Sequence, residues 1–146
     1  MSFEIKALLI GGVLPAILYG VTGVFQKLSA RAEGGPAMYL ICLGAGTVLV
    51  GVVLQFLLPE QSLSFRPISF ALAAGLSFSL GAGLISLALL NYQAAISQLS
   101  PLYNMNVLVT VVVGLALFAE YQNIDILRLV GGTVLIIAGG LLVASS

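Results

Sequence analysis

Long uncharged apolar runs, cut by short polar links, set the organisation of this chain. From Ala7 to Gln26 no charged residue occurs, and the run closes on Lys27, Arg31 and Glu33 before Gly34, Gly35 and Pro36. A second run extends from Pro36 to Leu58 and stops at Pro59 and Glu60. The third, from Pro67 to Ala119, is the longest. At a rise of about 1.5 Å per residue it makes a helix of roughly 80 Å, whereas a membrane crossing takes about 20 residues for some 30 Å of hydrocarbon. It must therefore fold back, and the polar triplet Asn91, Tyr92 and Gln93 near its middle is the expected turn. After the link Glu120 to Ile124, Asp125 is placed to cap a last helix, with Ile124 and Leu129 as its flanking hydrophobic staple. The pattern thus predicts an all-α polytopic membrane protein. Its single domain, residues 1–146, has five transmembrane helices over about 7–30, 36–58, 67–91, 94–119 and 125–144. Pro36 and Pro67 stand where a first helical position tolerates proline.

Short links make consecutive helices antiparallel neighbours, and an odd number of crossings places the termini on opposite sides. Lys6, Arg66 and Arg128 then lie on the N-terminal side, and Lys27 and Arg31 on the other. So small a bias permits insertion both ways round, which an antiparallel homodimer requires; insertion in one orientation is equally open.

Polar residues inside the runs form stripes. Pro15, Tyr19, Thr22 and Gln26 recur at helical spacing along helix one, and Tyr103, Asn106, Thr110 and Gly114 do so along helix four, with Asn104 beside them. Helix three adds Ser79, Gly83 and Ser86. Ser, Thr and Gly stripes let membrane helices approach closely, which is the packing explanation for helix three. Asn and Tyr are bulkier and costlier in hydrocarbon, so the stripes of helices one and four point to a hydrated cavity. Tyr19, Thr22, Gln26, Ser79, Tyr103, Asn104, Asn106 and Thr110 are accordingly the candidate substrate-binding residues. Pro101 cannot donate to the Ser97 carbonyl, so a kink is expected there. Gly132 and Gly139, seven residues apart, share a face of helix five that suits a dimer contact or packing within one subunit.

Composition narrows the function. With 60% hydrophobic and 7% charged residues, five Lys and Arg against five Asp and Glu, the chain lacks the charge that covers a soluble surface. It has no basic cluster for nucleic acid. A single cysteine, Cys42, and the absence of histidine leave no expected disulfide, metal site or cofactor. The N-terminal apolar stretch is longer than a signal-peptide core and is read as a retained helix. No nucleophile-and-base set or phosphate-cradling glycine loop occurs, so no enzyme is expected. Asp, Glu, Lys, Arg and His are absent from the predicted bilayer centre, which leaves facilitated exchange, coupling through Glu120, or coupling supplied by a partner.

Residues 88–144 resemble the second part of an EamA-type repeat of the drug/metabolite transporter superfamily. The shared features are a helix ending near Tyr92, a small-residue turn, Ser100-Pro101 within helix four, Glu120 at its end and a glycine-rich last helix. The segment LPAILYGVTGVFQKLSA resembles that repeat's first helix through Tyr19, Gly20 and Lys27. The resemblance implies a half-size, five-helix unit of a transporter for small neutral or zwitterionic metabolites. Such a unit works by alternating access as an antiparallel homodimer, or a heterodimer with a related chain, in the cell membrane. It also implies a cavity lined by helices one, three and four. The segment GTVLIIAGG, Gly132 to Gly140, is similar to the dimerising helix of the small multidrug resistance proteins, whose buried glutamate in helix one has no counterpart beyond Glu4. A membrane scaffold or accessory subunit of a larger transporter is the other reading of the same small-residue faces.

Overall fold

The computed structural model describes residues 3–58, 64–118 and 125–145, and among them the secondary structure is helical throughout. Five helices are long and apolar enough to cross a membrane: Ile5–Arg31, Pro36–Leu57, Phe65–Asn91, Ile96–Leu117 and Ile126–Ala144. They suggest a multi-pass membrane protein. The chain divides into two compact units, Met1–Gln93 and Ala94–Ser146.

In the first unit, α1 (Phe3–Leu8) runs through a π-helical turn, Leu9–Val13, into α2 (Leu14–Arg31). The wide turn has a local cause. Pro15 has no N–H for the Gly11 carbonyl and its ring would collide with that carbonyl in a regular helix, so the preceding turn opens and Leu14 N–H reaches back to the Leu9 carbonyl. The adjacent Gly11 and Gly12 make the distortion cheap, since neither has a side chain to pack.

A Schellman motif ends α2. Gly34 N–H donates to the Ser29 carbonyl at 2.9 Å and Glu33 N–H to the Ala30 carbonyl at 3.1 Å, with Glu33 in the left-handed region at φ 59°. A Cβ on Gly34 would stand 2.9 Å from the Ser29 carbonyl oxygen, so this position has room only for glycine. The chain then turns into α3 (Pro36–Leu57), with Pro36 at its start as expected.

Helix α4 (Phe65–Asn91) begins two residues earlier than the expected 67; Ser64 holds the N-cap position with extended backbone and no side-chain cap bond, and Pro67 sits third, still within the first turn where a missing N–H costs little. It ends at Asn91, the expected turn. Gln93 takes the left-handed position there, at φ 53°, and its Nε2 donates to the Leu90 carbonyl at 2.9 Å, so one side chain closes the helix end that glycine usually closes. Helices α2 and α3 both pack against α4.

In the second unit the helix expected over 94–119, kinked at Pro101, is two pieces, α5 (Ile96–Tyr103) and α6 (Asn106–Leu117), followed by α7 (Ile126–Ala144) packed against α5. Asp125 caps α7 as the sequence indicates: its Oδ1 accepts Arg128 N–H at 3.2 Å, and its other oxygen pairs with the Arg128 side chain at 3.0 Å. Ile124 and Glu120, expected to staple the helix and to couple transport, lie outside the described residues.

Among the described residues buried apolar side chains are few: Ala82 and Leu89, the latter 1% exposed. Large apolar residues such as Leu18, Phe56, Phe65, Leu84, Val109 and Leu135 are exposed. A soluble protein hides such contiguous surface, and a lipid-facing one has no need to.

Candidate functional site

The first unit turns two polar residues, Gln26 and Ser86, inward. Gln26, one turn before the end of α2, is 5% exposed and spends both protons of its amide nitrogen on α4. Nε2 donates to the Ala82 carbonyl and to the Ser86 hydroxyl oxygen, each at 2.9 Å. Ala82, Ser86 and Leu89 follow at i, i+4 and i+7 and form the buried face of α4. Next to them Gly83 meets α3, where a Cβ would lie 3.3 Å from Leu40 Cδ1. Small residues on α4 thus admit two helices at once, and the Gln26 amide satisfies its donors on the face so formed.

Other candidates in this unit differ in setting. Tyr19 is exposed, Thr22 is half-buried with its hydroxyl donating to the Leu18 carbonyl at 2.9 Å, and Ser79 is half-buried on α4. Of the helix-one stripe, Gln26 reaches another helix through side-chain hydrogen bonds, to Ser86 rather than to Ser79.

The second unit places Tyr103, Asn104 and Asn106 at a break. Pro101 lies within α5, yet the helix yields three residues later, at Asn104 and Met105. There the hydrogen bonding tightens from i→i−4 to i→i−3: Met105 N–H bonds the Leu102 carbonyl at 3.1 Å, Val107 the Asn104 carbonyl at 3.2 Å, and Leu108 the Met105 carbonyl at 3.0 Å. The expected kink at Pro101 is therefore a short 3₁₀-like break displaced toward the C-terminus. Asn104 and Met105 keep helical dihedrals with ψ near zero, −9° and −6°, which is how a helix tightens without reversing.

This break falls near the middle of the 22-residue stretch Ile96–Leu117. Asn104 and Asn106 are both exposed there, and Tyr103 is half-buried between them and Pro101. Thr110, exposed one turn further on, donates to the Asn106 carbonyl at 3.3 Å. Of the eight proposed binding residues, Tyr103, Asn104, Asn106 and Thr110 thus form one cluster along the fourth span.

Glycines of α7 present two faces. A Cβ on Gly132 or Gly139, the expected contact pair, would meet no atom within 4 Å. Gly140 is buried, and a Cβ there would lie 3.2 Å from the Pro101 carbonyl oxygen and 3.8 Å from Met105 Cγ. Thr133, seven residues before it, is buried too and donates to the Leu129 carbonyl at 2.8 Å. Gly140, the residue that meets the break, was legible only as part of a glycine-rich segment.

Among the described residues no group of three or more metal-binding side chains comes together. No family model matches the chain, and neither a curated protein nor a solved structure does.

Proposed function

We propose that this protein is a half-size membrane transporter of the EamA-like type, which moves small neutral or zwitterionic metabolites by alternating access as an antiparallel dimer in the cell membrane. The observation that carries the reading is the break in the fourth span, where Asn104 and Asn106 stand exposed near its midpoint. Amides are expensive in hydrocarbon. A helix that keeps two of them unburied beside an irregular stretch of backbone has the features of a hydrated binding site, because irregular backbone at membrane depth persists only against protein or water. With no Asp, Glu, Lys, Arg or His in Ile96–Leu117, the cluster recognises a ligand through hydrogen bonds rather than through a countercharge.

The open faces of α3, which has no buried residue, and of α7 at Gly132 and Gly139 favour lateral association. In the transporter that partner is a second half-size chain. In the scaffold reading it is a larger membrane protein.

Reconstitution in liposomes separates the two. Purified protein is expected to accelerate entry of at least one compound from an isotope-labelled mixture of neutral and zwitterionic metabolites. Asn106→Leu should lower that rate about tenfold, the factor carried by one hydrogen bond of roughly 1.4 kcal/mol, with folded yield unchanged. Rates equal to empty liposomes for every compound, together with copurification of another membrane protein, would establish the scaffold reading instead.

A further inference from the structure

We infer that Gly140 is the positioning residue of the break in the fourth span: because it has no side chain, α7 lies against the carbonyl that the break leaves over, and this contact sets where Asn104 and Asn106 stand. Three observations meet at this point. In a regular helix Met105 N–H would bond the Pro101 carbonyl, but here it bonds Leu102 instead. The Pro101 carbonyl is therefore released from the i→i−4 ladder in the middle of an apolar span. The backbone of Gly140 covers that oxygen closely enough that a Cβ would come to 3.2 Å from it and 3.7 Å from its carbon. Gly140 is buried, while its neighbour Gly139 faces open space.

The chemistry explains why glycine stands there. A carbonyl without an N–H partner in a low-dielectric setting is costly, and the weakly polar hydrogens of a glycine Cα are the mildest donors that approach without bulk. Packing of this kind permits only small displacements. One added methyl must push either α7 or the Pro101–Met105 segment aside, and the segment, already off the regular ladder, is the softer of the two. Asn104 and Asn106 begin three residues beyond Pro101 and move with it.

The placement of the break does not depend on whether the protein transports anything; any effect on uptake rests on the proposed function. The test uses the full chain in lipid, with Cys42→Ser removing the native thiol and Asn104→Cys supplying a reporter at the break. The reaction rate of that thiol with N-ethylmaleimide is compared among chains bearing Gly140, Gly140→Ala and Gly139→Ala. We expect a severalfold change for Gly140→Ala and none for Gly139→Ala, whose methyl enters open space. Equal rates in all three, or a change confined to Gly139→Ala, would overturn the inference.

Should Gly140→Ala fail to fold, Met105→Ala is combined with it: the tight contact is with the Pro101 carbonyl oxygen, and trimming Met105, whose Cγ would lie 3.8 Å from the methyl, lets the Pro101–Met105 segment shift to relieve it. A folded double variant with an altered rate supports positioning. An unaltered rate, or failure of both chains to fold, assigns Gly140 to helix packing alone and the inference falls. If the thiol rate shifts but neither Gly140→Ala nor native protein moves any labelled metabolite, Gly140 still positions the break and the transporter reading is what fails.

Discussion

Two helix contacts in this protein are built from the same kinds of residue and reach opposite outcomes. Where α2 meets α4, small residues let the helices close and the amide of Gln26 is buried with both protons bonded. Where α5 meets α7, Gly140 lets the helices close on a backbone carbonyl, and the amides of Asn104 and Asn106 are left exposed. Small residues bring helices together in both. What differs is whether the nearby amide finds its partners in the contact. A satisfied amide fastens packing, and one left open at mid-span is available to water or a ligand.

The sharpest way to break this comparison is bulk at the α7 glycines. Gly140→Leu drives four carbons toward the Pro101 backbone and should destabilise the fold by about 1–3 kcal/mol or more, the usual cost of overpacking. Gly139→Leu enters open space and should leave the melting temperature of the single chain unchanged. If Gly139 forms the dimer contact, the same variant lowers the dimer fraction measured by crosslinking in lipid. Equal losses of thermal stability for the two would show that the faces are not distinct.

Next comes Gln26→Leu, which removes both hydrogen bonds to α4. The expected loss is about 1 kcal/mol, in the range of interhelical hydrogen bonds in membranes, because the Ser86 hydroxyl can turn to the carbonyl four residues before it. Adding Ser86→Ala should cost less than the sum of the two single changes, as residues sharing a bond do. Strict additivity in denaturant titrations would mean that the bond contributes nothing.

The smallest effect on stability is expected at the break. Asn104→Leu and Asn106→Leu remove exposed amides and should shift stability by no more than about 0.5 kcal/mol, the scale of surface substitutions away from special features. Uptake should fall even so. A stability loss as large as that of Gln26→Leu would place these amides in a packing role, and the contrast between the two contacts would disappear.

Much of the helical frame was legible because its signals are local. The turn at Asn91 to Gln93 was readable from three polar residues in a long apolar run, and the Asp125 cap from one side chain before a periodic segment. The break of the fourth span was half-legible. Pro101 announced a distortion, but its site at Asn104 and Met105 follows from how the next turn shares its hydrogen bonds, which a single missing N–H does not specify. The early start of α4 was missed because proline is tolerated anywhere in the first turn, so Pro67 does not mark the first helical residue.

By itself the sequence determined that there are five apolar helices and close to where each begins and ends, since uncharged run length and the chemistry of Pro, Gly and Asp act over a few neighbouring residues. Only the tertiary structure decided which polar residues are spent on packing. Tyr19, Thr22 and Gln26 share one stripe, yet Gln26 is the one bonded to α4, because that depends on which residues of a distant helix stand opposite. Nor did periodicity choose between the pairs Gly132 and Gly139 or Thr133 and Gly140, both seven residues apart. One step along a helix is a rotation of about 100°, and the partner helix, which sequence spacing does not reveal, settles which side is covered. It covers Gly140, because there the backbone of Pro101 comes too close for any side chain larger than hydrogen to fit without displacement.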